Sequence, residues 1–181
     1  GRSFAQRIPI ENWISRSNRS LLFGDPGSGK SSFLRFLALD LLSANPSLDV
    51  IADKWGSHLP VWIPFALWTK IIHQGNLGDS SVVAIASTWL KSWNAGDLVP
   101  LVEKALKDKR LLLLVDGLDE HSNNDAAQIA LNQLDTFLRL NDISIIATTR
   151  PHGFENLGMK TEGWQESNIA NLSTSQQKDL A

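Results

Sequence analysis

The segment Leu21-Leu22-Phe23-Gly24-Asp25-Pro26-Gly27-Ser28-Gly29-Lys30-Ser31-Ser32 constrains this chain more than any other. An apolar run enters a loop with three glycines, and Lys-Ser then opens a helical pattern. Gly24 and Gly29-Lys30-Ser31 fill the template G-x-x-x-x-G-K-[ST] without a mismatch. Glycines let a loop curl so that successive backbone N–H groups point inward at a polyphosphate. The following helix adds its unpaired N-terminal N–H groups and the positive end of its dipole. Residues 24–32, that is Gly24, Asp25, Pro26, Gly27, Ser28, Gly29, Lys30, Ser31 and Ser32, therefore read as a phosphate cradle. Lys30 is its mobile cation, and the Ser31 hydroxyl is a candidate Mg²⁺ ligand.

A second carrier of chemistry lies at Leu111–Glu120. Five large apolar residues, Leu111–Val115, predict a strand covered on both faces. That strand delivers Asp116 at its C-terminal end, where open α/β sheets bind ligands. Asp116 can share a magnesium ion with Ser31, through water. Asp119 and Glu120 follow, and an acidic residue just past a metal-binding Asp can polarise an attacking water. The third carrier is Arg150, just past the strand Ile143–Thr148. A guanidinium is planar, permanently charged and suited to bidentate phosphate binding. Thr148 and Thr149 are candidate hydroxyl donors in the same place. The four histidines are scattered without ligand spacing, and the seven tryptophans read as core and interface anchors.

The rest of the chain alternates helices and buried strands. A short helix is expected near Ile10, a strand at 21–23 and a helix at 30–43. Almost every position of that helix after Ser32 is apolar, which predicts burial on most sides. Residues 47–59 read as a loop. Residues 59–67, with Pro60 and Pro64, read as an edge strand because proline removes ladder donors. Residues 69–80 read as another loop. Asp79 or Ser80 can cap a helix to about Trp93, and Asp97 can cap one to about Lys107. An amphipathic helix is expected over 126–140 and irregular chain over 152–167. A fifth strand is expected at 167–172, and Ser173 can cap a further helix. The sum is an α/β fold, a mostly parallel sheet with helices on both faces.

Composition excludes more than it selects. Within 181 residues, 43% are hydrophobic and 20% charged, ordinary for one globular domain. A net charge of -2 gives no sign of a nucleic-acid or membrane-surface patch. The absence of cysteine rules out disulfides, thiolate metal sites and cysteine nucleophiles, and fits a reducing cytoplasm. No apolar run approaches the ~20 residues of a membrane span. Position 1 is Gly, and the chain reads as a piece of something longer.

Taken together, Gly24–Ser32, Leu111–Glu120 and Ala147-Thr148-Thr149-Arg150-Pro151 resemble the NACHT family of P-loop NTPases, within the signal-transducing ATPases with numerous domains. Gly117 after the metal Asp, followed by Asp119-Glu120, is the most family-specific feature, and Leu59–Leu67 looks like the family's second strand. The resemblance spans roughly residues 20–175. It implies a three-layer fold with sheet order 5-1-4-3-2, a lead-in at 1–19, a nucleotide-binding domain at 20–172 and the start of a helical domain at 173–181. It implies ATP/ADP and Mg²⁺ as cofactors: Lys30 on the β/γ-phosphates, Ser31 and Asp116 on the metal, Asp119 and Glu120 supporting hydrolysis, Arg150 sensing the γ-phosphate. It further implies a cytoplasmic switch that holds ADP at rest and self-associates on exchange for ATP. Helical, winged-helix, sensor and effector domains would be its partners in the full-length protein, with no direct nucleic-acid or membrane contact. In a bacterial member, which the compact loops and missing cysteines favour, the setting is defence against phage. Two other readings stand beside the switch: a continuously cycling P-loop ATPase such as a loader or remodeller, and a module that binds nucleotide without hydrolysing it. ATP is favoured over GTP only through the family.

Overall fold

A computed structural model describes residues 8–16, 18–75 and 81–170. Its elements, in chain order, are α1 (Ile10–Arg16), β1 (Arg19–Phe23), α2 (Lys30–Leu42), α3 (Asp49–Trp55), β2 (Leu59–Pro64), α4 (Phe65–His73) and α5 (Val82–Ser92). A 3-10 turn at Gly96–Leu98 leads into α6 (Val99–Lys107), followed by β3 (Leu111–Asp116), α7 (Asn124–Leu140), β4 (Ser144–Thr149), α8 (Pro151–Glu155) and β5 (Gln165–Asn168). The strands form one five-stranded sheet in the order β2-β3-β4-β1-β5, which is the expected 5-1-4-3-2 read from the other edge. Every pairing is parallel. This is an α/β P-loop NTPase-like architecture.

The apolar run of β3 explains the layering. Alternate residues of a strand face opposite sides of its sheet. Leu111, Leu113 and Val115 enter a core beneath α4–α7, while Leu112 and Leu114 enter a second core with α1, α2 and α3. All five are buried, so the strand is covered on both faces as expected. Asp116 continues the pleat onto the face of Leu112 and Leu114, which is the face where Leu34 and Leu37 of α2 pack. The sheet pleat and the helix start therefore bring Asp116 and Ser31 to the same side.

Several local expectations need correction. Residues 49–55 are helical rather than loop: Ile51 and Trp55, four apart, are both buried and dock α3. The strand expected over 59–67 stops at Pro64, and 65–73 form α4 instead of strand and loop. Phe65, Trp68, Thr69, Ile71 and Ile72 are its buried residues, spaced for a helix rather than a strand. Ser81, not Asp79 or Ser80, accepts from the Ala84 amide as the cap of α5; positions 79 and 80 lie outside the described residues. Asp97 makes no side-chain cap and sits within the 3-10 turn. α7 starts two residues earlier than expected, capped by Asn123. Pro151–Glu155 is a short helix within a stretch read as mostly irregular. The fifth strand is Gln165–Asn168, earlier than expected; Ser173 and the proposed following domain lie outside the described residues.

α2 is buried on one side only. Phe36, Leu39 and Leu42 are exposed on the other, so its apolar excess is not absorbed by the sheet. At the β2 edge, Trp62 meets Trp89 of α5 edge-on at 5.8 Å, and Trp89 meets Trp93 at 5.6 Å. Arg35 of α2 lies over the Trp62 ring at 5.1 Å. Prolines 60 and 64 and this aromatic cover blunt an otherwise open strand edge.

Candidate functional site

The phosphate loop joins the C-terminal end of β1 to the first turn of α2. Gly29 caps α2 with φ +93, a left-handed conformation that costs a residue with a Cβ. The Phe33 amide bonds the Gly29 carbonyl at 2.8 Å, closing the first turn. Lys30 Nζ donates to the carbonyl oxygens of Gly24 and of Asp25, the latter at 3.0 Å, which holds the ammonium at the loop. Gly24 is buried, and a Cβ there would come 2.3 Å from Ser28 Oγ. That Ser28 hydroxyl is itself buried without a hydrogen-bond partner. A tightly wound glycine loop with a lysine at its mouth and an unsatisfied hydroxyl suits an anionic, oxygen-rich ligand. Ser31 and Ser32 are exposed at the start of α2.

The strand ends beside this loop are tied together by β4. β4 lies between β1 and β3, so its C-terminal residues reach both neighbours. On the phosphate-loop side, the Gly24 amide donates to the Thr149 carbonyl at 3.2 Å. On the other side, the buried Thr148 hydroxyl donates to Asp116 Oδ1 at 2.7 Å and accepts from the Gly117 amide at 2.9 Å. The Leu118 amide donates to the Thr148 carbonyl at 2.9 Å. Gly117 turns the chain with φ +72, and a Cβ there would lie 2.8 Å from the Glu120 side chain. Only glycine satisfies both demands without a shift.

Past that turn, Asp119 meets the segment after β4. Its Oδ1 accepts from the Arg150 amide at 2.9 Å and from the Thr149 hydroxyl at 3.3 Å. Its Oδ2 faces Arg150 Nε at 3.3 Å. Arg150 Nη2 also reaches Glu120 Oε1 at 3.4 Å. Asp119 is 6% exposed, Glu120 56% and Arg150 45%. Gly153 of α8 backs Asp119 so closely that a Cβ would fall 2.2 Å from the Asp119 Cβ. α8 is braced in turn by Phe154 against Phe23 of β1, edge-on at 5.2 Å.

All three segments singled out by sequence thus converge at the C-terminal end of the sheet. Asp116 and Ser31 offer a carboxylate and a hydroxyl, hard oxygen donors of the kind Mg²⁺ accepts while keeping several waters. Among the described residues there is no group of three or more His, Asp or Glu that could hold a metal ion. Sequence reasoning missed Gly153, whose role depends on a crossing that only the tertiary fold creates. It named Thr148 and Thr149 as phosphate-side donors, whereas their hydroxyls are turned to Asp116 and Asp119. A cavity of about 480 Å³ lies at the opposite end of the sheet, lined by Arg16, Arg19 and Arg139 among others. Two of these are engaged: Arg19 donates to the Leu138 carbonyl, and Arg139 pairs with Asp135. Among the described residues no helix is long and apolar enough to cross a membrane.

No protein-family model matches the chain, and no curated protein matches it. Solved structures with similar coordinates include AMPPCP-bound DnaA from Aquifex aeolicus, at 17% identity and a TM-score of 0.48, over 88% of this chain and 43% of that one. C. elegans PCH-2 gives 18% and 0.47, over 90% and 38%. The Aeropyrum pernix ORC1 protein in complex with DNA gives 19% and 0.45, over 90% and 42%. The chain spans less than half the length of each of these structures.

Proposed function

We propose that this chain is an ATP-binding, slowly hydrolysing switch of the NACHT type, whose ADP/ATP state governs self-association in a larger defence protein. The observation that best supports this is the run of hydrogen bonds along the end of β4. It connects Gly24 of the phosphate loop, Asp116, and the Asp119–Glu120–Arg150 cluster into one continuous site. In this reading the loop amides and Lys30 hold the β- and γ-phosphates. Ser31 and Asp116 hold Mg²⁺, which neutralises phosphate charge when bound. The acidic pair after Gly117 supports hydrolysis. Arg150, on the loop next to Gly24, distinguishes a triphosphate from a diphosphate by its guanidinium.

Turnover by the purified chain tests this. A switch hydrolyses ATP at about 10⁻⁴ to 10⁻² per second, the range of P-loop switches without an arginine supplied in trans, and retains ADP. Lys30→Ala abolishes nucleotide retention, because it removes the mobile cation of the cradle. Unchanged affinity in a fluorescent-nucleotide titration of Lys30→Ala would refute the assignment. Several turnovers per second would replace the switch by a motor, and retention without turnover by a binding module.

A further inference from the structure

We infer that Asp119 is a positioning residue that aims Arg150, and that the task of polarising water falls to Glu120 alone. The inference rests on the ATP-hydrolysing reading above and divides its acidic pair into two roles.

A general base must touch the water it polarises. Asp119 is 6% exposed, walled by Gly153 on one side, and both its oxygens are already engaged. Among the described residues its hydrogen-bond donors are the Thr149 hydroxyl and the Arg150 amide, and Arg150 Nε adds an ion-pair contact at 3.3 Å. Charge-assisted bonds of this kind are among the stronger and more directional in proteins. They grip Arg150 at its backbone and at the root of its guanidinium. At the outer end of the fork, Nη2 donates to Glu120 Oε1 at 3.4 Å. Glu120, at 56% exposure and with its contact to Arg150 at 3.4 Å, is open to water. In hydrolysis Glu120 takes a proton from water as the water oxygen bonds to the γ-phosphorus. The bond to the β–γ bridging oxygen breaks, and ADP leaves with its electron pair. Asp119 has no part in that transfer; it fixes the direction from which the guanidinium meets the γ-phosphate.

Hydrogen exchange and nucleotide titration test the two roles separately. Asp119→Ala speeds exchange of the Arg150 amide about tenfold or more, with or without nucleotide, because that amide loses its acceptor. Asp119→Asn keeps an acceptor and keeps slow exchange, but loses the ion pair. Both variants lower the preference for AMPPNP over ADP about tenfold, as Arg150→Ala does, and Asp119→Asn combined with Arg150→Ala is no worse than Arg150→Ala. Glu120→Gln slows ATP hydrolysis while leaving that preference and the Arg150 amide unchanged. The inference is overturned if Asp119→Asn slows hydrolysis with the AMPPNP preference intact, or if its loss multiplies with that of Arg150→Ala. Should the wild-type chain bind no nucleotide, the switch reading fails by itself. Exchange at Arg150 in Asp119→Ala then still decides whether Asp119 holds that segment, and unchanged exchange refutes the clamp.

Discussion

Thr148 carries more of the site than its size suggests. One buried hydroxyl at the end of β4 holds two groups at the end of β3, accepting from the Gly117 amide and donating to Asp116. Valine fills the same volume but satisfies neither group, and a buried polar group left unpaired costs about 1–3 kcal/mol. Thr148→Val is therefore expected to lose about 1–3 kcal/mol in urea unfolding. It should also weaken Mg²⁺-dependent nucleotide binding more than metal-free binding. Thr148→Ser, which keeps the hydroxyl, should recover most of both. At this scale the sequence was readable where chemistry is local. The glycine spacing, Lys30, and an Asp ending an apolar strand are motif features, and the structure brings them together. The bonds made by Thr148 and Thr149, and the need for glycine at 153, follow from β4 lying beside both β1 and β3. No spacing along the chain encodes that.

Among the elements, α2 ends in an arrangement that is open to a pH test. Asp40, in its last turns, accepts from the Ser47 amide at 2.8 Å and the Ser47 hydroxyl at 2.6 Å, pinning the chain that leads to α3. The Ser47 hydroxyl, and then its amide, hold the Asp40 carboxyl below its ordinary value of 3.8. A depressed carboxyl stabilises the fold above its unfolded pKa, and that contribution fades as pH falls through the lower folded value. Ser47→Ala is expected to melt below wild type at pH 6, with the gap narrowing below about pH 4 as the carboxyl protonates in both states. Thermal melts across that range check the sign. The elements that sequence reading missed have a common cause. α3 is anchored by one pair, Ile51 and Trp55, too few residues to show a period. From Leu59 of β2 to Trp68 of α4 apolar residues run on without a break, so the change from alternating to helical spacing at Pro64 is masked. α8 is five residues long.

At the scale of the whole molecule, two apolar cores sandwich a sheet whose C-terminal edge carries all the candidate chemistry. The alternation of elements announced a parallel sheet, but strand order came from the family resemblance and not from patterning. A ligand seated at that edge touches the ends of β1 and β3 and the start of α2 together, so it should stabilise the fold as a unit. At a hundredfold excess over its Kd, a ligand specific for the folded state adds about 2.7 kcal/mol. For a chain of this size that is a rise in Tm of roughly 5–11 °C. Differential scanning fluorimetry with ATP and Mg²⁺ measures it, and Lys30→Ala should show none of the rise.

The stack of Trp62, Trp89 and Trp93 under Arg35 gives the molecule its own optical gauge. Arg35 belongs to the helix that begins at Lys30, and its cation sits over an indole at 5.1 Å. Any tilt of that helix on ligand entry changes the field across the ring and so the colour and yield of its emission. If the chain cycles nucleotide as proposed, intrinsic fluorescence should report that cycle with no dye attached.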